Sequence, residues 1–240
     1  MKDSLRSLRR EEIELLQAEG CSSDSWHSVM IEGELGESRF SNVHFTGEIR
    51  INKQSRPSVV CNATLKNVTL GFGLSIKNVN GVIENCNISD NVIIENVGVI
   101  TCTPGSSFGN GTVVEVLSET GDRSVRIFEG LDSQMAYIYS LYKYDKYLIN
   151  ALDRIIDAEI ASKTETRSLI SKGAIIRNTT RMTNVKVGPF SIVDSALCLE
   201  NGTIVSTETF PAHIGPGVIM RNFIVNKGTV VEDNASIYDS

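Results

Sequence analysis

The stretch from Leu70 to Ile100, LGFGLSIKNVNGVIENCNISDNVIIENVGVI, decides the fold. Through it Leu70, Ile76, Val82, Ile88, Ile94 and Ile100 stand six positions apart without a slip. An amphipathic helix needs apolar spacings of three and four, and a half-buried strand alternates by two. Neither template accounts for an unbroken series of sixes. A short strand plus a corner does, and three such units return the chain to the same face after about eighteen residues.

A second series runs through Ile175, Val187, Val193, Leu199 and Val205, with Arg181 as its weak member. It resumes after a break at Ile214 and Met220 and fades at Asn226 and Glu232. The position four residues on is small or apolar, as at Thr179, Val185, Ser191, Leu197 and Thr203. The tripeptide Lys66-Asn67-Val68 matches Glu84-Asn85-Cys86, and Lys77-Asn78-Val79 matches Glu95-Asn96-Val97. Asparagines one coil apart stack at a strand spacing of about 4.8 Å, close enough for their amides to hydrogen-bond as a ladder. Residues 31–65 keep this composition, with Phe45 and Ile51 six apart, but lose register around Pro57; irregular first coils are expected there.

The hexads Val187-Gly-Pro-Phe-Ser-Ile, Leu199-Glu-Asn-Gly-Thr-Ile and Ile214-Gly-Pro-Gly-Val-Ile resemble the [LIV]-[GAED]-x-x-[STAV]-x repeat of left-handed β-helix acyltransferases. The resemblance covers roughly residues 40–118 and 169–240. It implies an all-β solenoid, a left-handed parallel β-helix of hexapeptide repeats. The left hand comes from the resemblance alone, since the general crossover rule favours the opposite one. The opening helix, Gly20-Cys21, Trp26 and the segment Val116-Leu117-Ser118-Glu119-Thr120-Gly121 look like an uncharacterised bacterial hexapeptide-repeat family that carries a domain-of-unknown-function label. Such a likeness speaks for a fold and leaves the chemistry to be argued from a site.

The non-repeat parts complete the plan of one continuous solenoid domain. Residues 1–30 form an N-terminal helical cap, 31–118 a first β-helix segment, 119–168 an inserted long helix and 169–240 a second β-helix segment. The cap helix is expected over 8–19, stopped by Gly20, with Ile13 and Leu16 inward, where it covers the open end of the first coil. Leu131, Met135, Ile138, Tyr142, Leu148, Leu152, Ile155 and Ile160 follow helical spacing, which predicts one helix over 131–161, about 45 Å long. Tyr137, Tyr139, Tyr142, Tyr144 and Tyr147 crowd its first half. They are expected to pack on a β-face or a neighbouring subunit, the alternative being a ligand groove. The chain ends in register at Tyr238-Asp239-Ser240, so a further segment or an assembly partner is expected over that end.

A net charge of -6 and a pI near 5.2 argue against binding to nucleic-acid backbones. No segment has the apolar length of a signal peptide core or a membrane span. The five cysteines are odd in number and scattered without metal-ligand spacing, which points to reduced thiols and a cytoplasmic location.

No phosphate loop, dinucleotide fingerprint, zinc spacing or nucleophile elbow is present. Gly71-Phe72-Gly73 reads as a corner. That leaves the histidines, and in the resembled acyltransferases a histidine acts as general base toward an acceptor hydroxyl or amine. His213 is the first candidate. The hexad at Val205 should be followed at residue 211, yet the apolar position returns at Ile214, so three residues bulge at Phe210-Pro211-Ala212-His213. This places Ile214 over Val193 and Asp194 one coil below Gly215, with Asp194 or Glu208 available to orient the imidazole. His44, between Val43 and Phe45, should point outward, and His27 belongs to the cap.

The resemblance implies an acyltransferase moving an acyl group from acyl-CoA or acyl carrier protein, a co-substrate and not a tightly bound cofactor, to a sugar or nucleotide sugar. The alternative is a non-catalytic structural or oligomerisation module. Metal-dependent hydrolysis would need three histidines gathered from distant positions, and no metal is expected. A filled β-helix core leaves no internal pocket, so ligands bind in outer grooves or between chains, and a homotrimer is expected under either reading.

Overall fold

A computed structural model describes residues 5–115 and 123–240. The segment Val116–Gly121, used above for the family resemblance, lies outside the described residues. Those that are described form a mostly β molecule with one large sheet of nineteen strands, a separate two-stranded antiparallel hairpin and three α-helices. All pairings in the large sheet are parallel except that of Leu5–Ser7 with residues 30–32.

Asparagine in the left-handed backbone region shapes this sheet. Along Val59–Leu70, both Val60 and Ala63 are buried although two residues separate them, which straight alternation forbids. Asn62 between them has φ +53°, and Asn67 further along the same strand has the same value. Each turns the chain so that the next side chain points inward again. Asparagine tolerates this region better than other residues with a β-carbon.

The inward residues fall into three columns. Phe45, Leu65, Ile83, Ile100, Met182, Leu199 and Met220 lie level with one another from strand to strand. Ile51, Leu70, Ile88, Ile170, Val187, Ile204 and Val225 make the second. Phe40, Val60, Ile76, Ile94, Ile176, Val193, Ile214 and Val231 make the third. They belong to one buried cluster. The series of sixes predicted this pattern, with one-residue corrections. Ile83, Ile176, Met182 and Ile204 are the buried members, in place of Val82, Ile175, Arg181 and Val205. A corner can hold one residue fewer, so the inward face shifts by one while the apolar neighbour hides the shift from the sequence. The irregularity expected at 31–65 shows as a long strand-free connection around Pro57, with nine positions from inward Ile51 to inward Val60, while Ile31, Phe45, Ile49, Ile51 and Leu65 are all fully buried.

Two amide ladders run across the corners. In one, Asn42 donates to Asn62 (2.9 Å), Asn62 to Asn78 (2.9 Å), Asn78 to Asn96 (3.1 Å), Asn96 to Asn178 (3.3 Å) and Asn178 to Asp194 (3.1 Å). In the other, Asn67 donates to Asn85 (3.1 Å), then Asn184 to Asn201 (3.0 Å), Asn201 to Asn222 (3.2 Å) and Asn222 to Asp239 (2.8 Å). The insertion interrupts this second ladder. Thr101 lies level with Glu84 and Ser168 with Cys86, so residues 102–167 occupy the place that Asn85 alone fills one level below. The gap is bridged at both sides. Asn85 donates to the Cys102 carbonyl (2.8 Å), and the Thr103 amide donates to Asn184 (2.7 Å).

The first helix, α1 (Arg10–Ala18), ends as its sequence directs. Gly20 has φ +79°, the Cys21 amide donates to Leu16 (2.9 Å) and the Gly20 amide to Gln17 (3.0 Å). This is a Schellman turn. Leu16 is buried and Ile13 packs on the main core. The single helix expected over 131–161 is instead two, α2 (Ser133–Leu141) and α3 (Lys146–Lys163). Helix α3 starts afresh at its own N-cap, Asp145, which accepts from the Leu148 amide, as Asp132 accepts from the Met135 amide at the start of α2. Val125, Phe128, Tyr139 and Ile156 give this unit a small core of its own. Of the crowded tyrosines only Tyr139 is buried, donating to Asp153 at 2.6 Å. No helix among the described residues is long and apolar enough to cross a membrane.

Candidate functional site

His213 sits where the register places it. After the strand Cys198–Ile204 the chain leaves the sheet and rejoins it at His213–Ile214, with His213 level with Ile192 and Ile214 with Val193. The excursion is held by Ser206 Oγ, which accepts from the Ala212 amide (3.0 Å), while Phe210 stands 58% exposed at its tip. The other two candidate residues are engaged elsewhere or free in solvent. Asp194 ends the first amide ladder, accepting from Asn178 and from Ser195 Oγ (2.8 Å), and Glu208 is exposed on the loop. No hydrogen bond or ion pair among the described residues joins either carboxylate to His213.

A different histidine is held by partners. In the strand Arg39–Thr46, Val43 and Phe45 point into the core, which turns His44 and Thr46 outward. The Schellman turn at Gly20 brings the chain back beside this strand, so that Ser22 lies level with His44. Ser22 Oγ is 2.9 Å from His44 Nδ1. Asp24 Oδ1 stands 3.5 Å from His44 Nε2, and Thr46 Oγ1 donates to the other Asp24 oxygen at 2.5 Å. The Asp24 amide donates to the Phe45 carbonyl (3.2 Å), fixing the backbone of this short segment. Ser22 and His44 open on a shallow groove of about 470 Å³ that runs along Asn42, Asn62, Thr64 and Asn78.

Such an arrangement can move a proton. If Asp24 faces the protonated ring nitrogen, the other nitrogen is a bare acceptor next to a hydroxyl. The sequence held one sign of it, the Ser22-x-Asp24 spacing that puts both side chains on one side of an extended segment. The pairing of position 22 with 44 was not legible, because that offset is no multiple of six.

Other places carry less. A second groove of about 310 Å³ over Asn184, Asn201 and Asn222 is lined by Thr103–Gly109 and holds no titratable side chain. Burial pushes the thiols of Cys86 and Cys102 up, Cys102 to about 11, so neither is a nucleophile near neutral pH. His27 is in a short 3-10 turn beside Trp26, whose ring packs on Phe45 at 6.2 Å. Among the described residues no three His, Cys, Asp or Glu side chains are grouped to hold a metal.

The comparisons with known proteins agree with a chain of open function. A family model described as "Domain of unknown function (DUF4954)" matches residues 5–240. The chain is similar to an "Uncharacterized protein" of Treponema pallidum (strain Nichols), 24% identical over 244 aligned residues that cover 93% of this chain. It spans 34% of that relative's length. No solved structure matches.

Proposed function

The chain belongs to the DUF4954 family, and from that premise we propose that it is a left-handed parallel β-helix of hexapeptide coils that transfers acyl groups on its outer surface. The three inward columns, the corner asparagines and the hexads at Val187, Leu199 and Ile214 support the coil, and the hand rests on the likeness to hexapeptide-repeat acyltransferases. The donor is the thioester of acyl-CoA or acyl carrier protein, and the acceptor is a hydroxyl of a sugar or nucleotide sugar.

The observation that carries this reading is His44 set between Ser22 and Asp24 on an open polar groove. His44 serves as general base, taking the acceptor proton as the oxygen attacks the thioester, and Asp24 stabilises the imidazolium that results. A homotrimer is supported by the outward column Ile93, Ile175 and Ile192, level from strand to strand and followed by His213 and then by Val230, which is 58% exposed. Partly exposed apolar side chains aligned on an outer face suit a contact between subunits. His213, in that same column, is the second candidate base, with no hydrogen bond or ion pair to Asp194 or Glu208 among the described residues. Five free thiols favour a reducing compartment, in keeping with a cytoplasmic location.

The test is turnover of acetyl- and longer acyl thioesters against a panel of sugars and nucleotide sugars. His44→Ala should lower kcat about a hundredfold or more, with an unchanged melting temperature, while His213→Ala stays within a few-fold. Loss in His213→Ala with an active His44→Ala would move the base to His213. A folded wild-type protein that turns over none of the panel would sink the transfer reading. The amide ladders that stiffen the whole surface would then favour a structural or oligomerisation module.

A further inference from the structure

A base that works only on a bound acceptor needs its accepting nitrogen open to the groove. In the resting site an acceptor must first displace a neighbour: Nδ1 of His44 is engaged by the Ser22 hydroxyl at 2.9 Å, and Nε2 faces the Asp24 carboxylate at 3.5 Å. The proton closest to the base is therefore Ser22's own, and the Ser22 side chain is exposed on the groove wall, where an acyl group can reach it. Nucleophile, base and orienting carboxylate in this order form the constellation that activates a serine.

We propose that Ser22 is a covalent nucleophile, holding the acyl group as an ester between donor and acceptor; this rests on the acyl-transfer reading above. In the first half, Ser22 Oγ attacks the thioester carbonyl carbon and its proton passes to His44 Nδ1. The carbon–sulfur bond breaks and the thiolate leaves as the thiol, taking that proton from the imidazolium. With Ser22 acylated, Nδ1 is free for the acceptor hydroxyl. The acceptor oxygen attacks the ester, its proton moves to Nδ1, and Ser22 Oγ departs and recovers the proton. Thr46 keeps its role through Asp24, as a positioning residue, by holding the carboxylate toward the ring.

The experiment treats the intact chain with a fluorophosphonate and reads the mass of the protein and of its peptides. One label on Ser22 is expected, absent in Ser22→Ala, at least about a hundredfold slower in His44→Ala, and retained in Ser41→Ala as a control for folding. No label on folded wild-type protein, or a label that persists in Ser22→Ala, overturns the proposal. Thioester-to-acceptor turnover separates it from the reading beneath it. Turnover intact in Ser22→Ala but lost in His44→Ala defeats the covalent step alone, and turnover intact in both defeats His44-based transfer itself.

Discussion

At the scale of single residues, Asn78 does two jobs at once. Its backbone has φ +55°, and its amide accepts from Asn62 and donates to Asn96. Alanine there would keep the backbone strain and lose both bonds. Asn78→Ala should therefore cost about 1–2 kcal/mol, read as a lower urea midpoint. Asn78→Gly should recover most of that loss, because glycine removes the backbone term and the exposed amide bonds contribute little. If alanine and glycine are equally damaging, the ladder and not the corner conformation sets the stability. The same logic explains why Asp194 and Asp239 end the two ladders: a carboxylate accepts but cannot donate onward.

At the scale of elements, the start of α1 is an electrostatic lock. Glu12 receives both guanidinium nitrogens of Arg6 at 2.7 Å and the Arg9 amide at 2.7 Å, while Arg6 also donates to the Gly33 carbonyl. The hydrogen bonds from Arg6 hold the Glu12 carboxyl below its usual range. A carboxyl depressed on folding stabilises fully above its ordinary pKa of 4.5 and loses that contribution as pH falls through the folded value. Glu12→Gln should cost about 1 kcal/mol at pH 7, since the pair is partly solvated and screened. Urea midpoints of variant and wild type should converge as pH falls below the ordinary carboxylate range and through the lowered folded value; a difference that stays constant with pH would show that packing, and not charge, carries the effect. The break between α2 and α3 is the opposite lesson. Apolar spacing runs on through it, but Asp132 and Asp145 each start a helix, and capping decided where the helices begin.

At the scale of the whole molecule, the insertion stands on a single corner. Because Thr101 and Ser168 lie over Glu84 and Cys86, one asparagine in place of residues 102–167 would repeat the geometry of the level below. That deletion should remove the separate hairpin, leave the strands of the large sheet intact and rejoin the ladder from Asn85 to Asn184. Far-UV circular dichroism should lose most of its helical part, keeping that of α1, and keep most of its β part, with cooperative unfolding retained. A chain that fails to fold would mean that the inserted unit holds the sheet together, through the Phe108 carbonyl that accepts from Thr203 and the Glu129 carboxylate shared by Lys163 and Lys186.

The sequence by itself determined what repeats: the series of sixes, the asparagine stacks at 67 and 85 and at 78 and 96, the presence of a bulge before Ile214, and the helix stop at Gly20. These are local or strictly periodic, so each repeat of the sequence restates the last. Only the tertiary structure decided which of two adjacent apolar residues turns inward, as at Ile83 against Val82, because a corner can shed one residue without changing the composition. It also decided which histidine has partners. Asp194 was legible as a neighbour of His213 but is used up by the ladder, whereas Ser22, Asp24 and His44 meet across a turn, an offset the repeat does not encode. Periodicity sets the lattice on which side chains sit; their hydrogen bonds depend on the irregular chain that joins it.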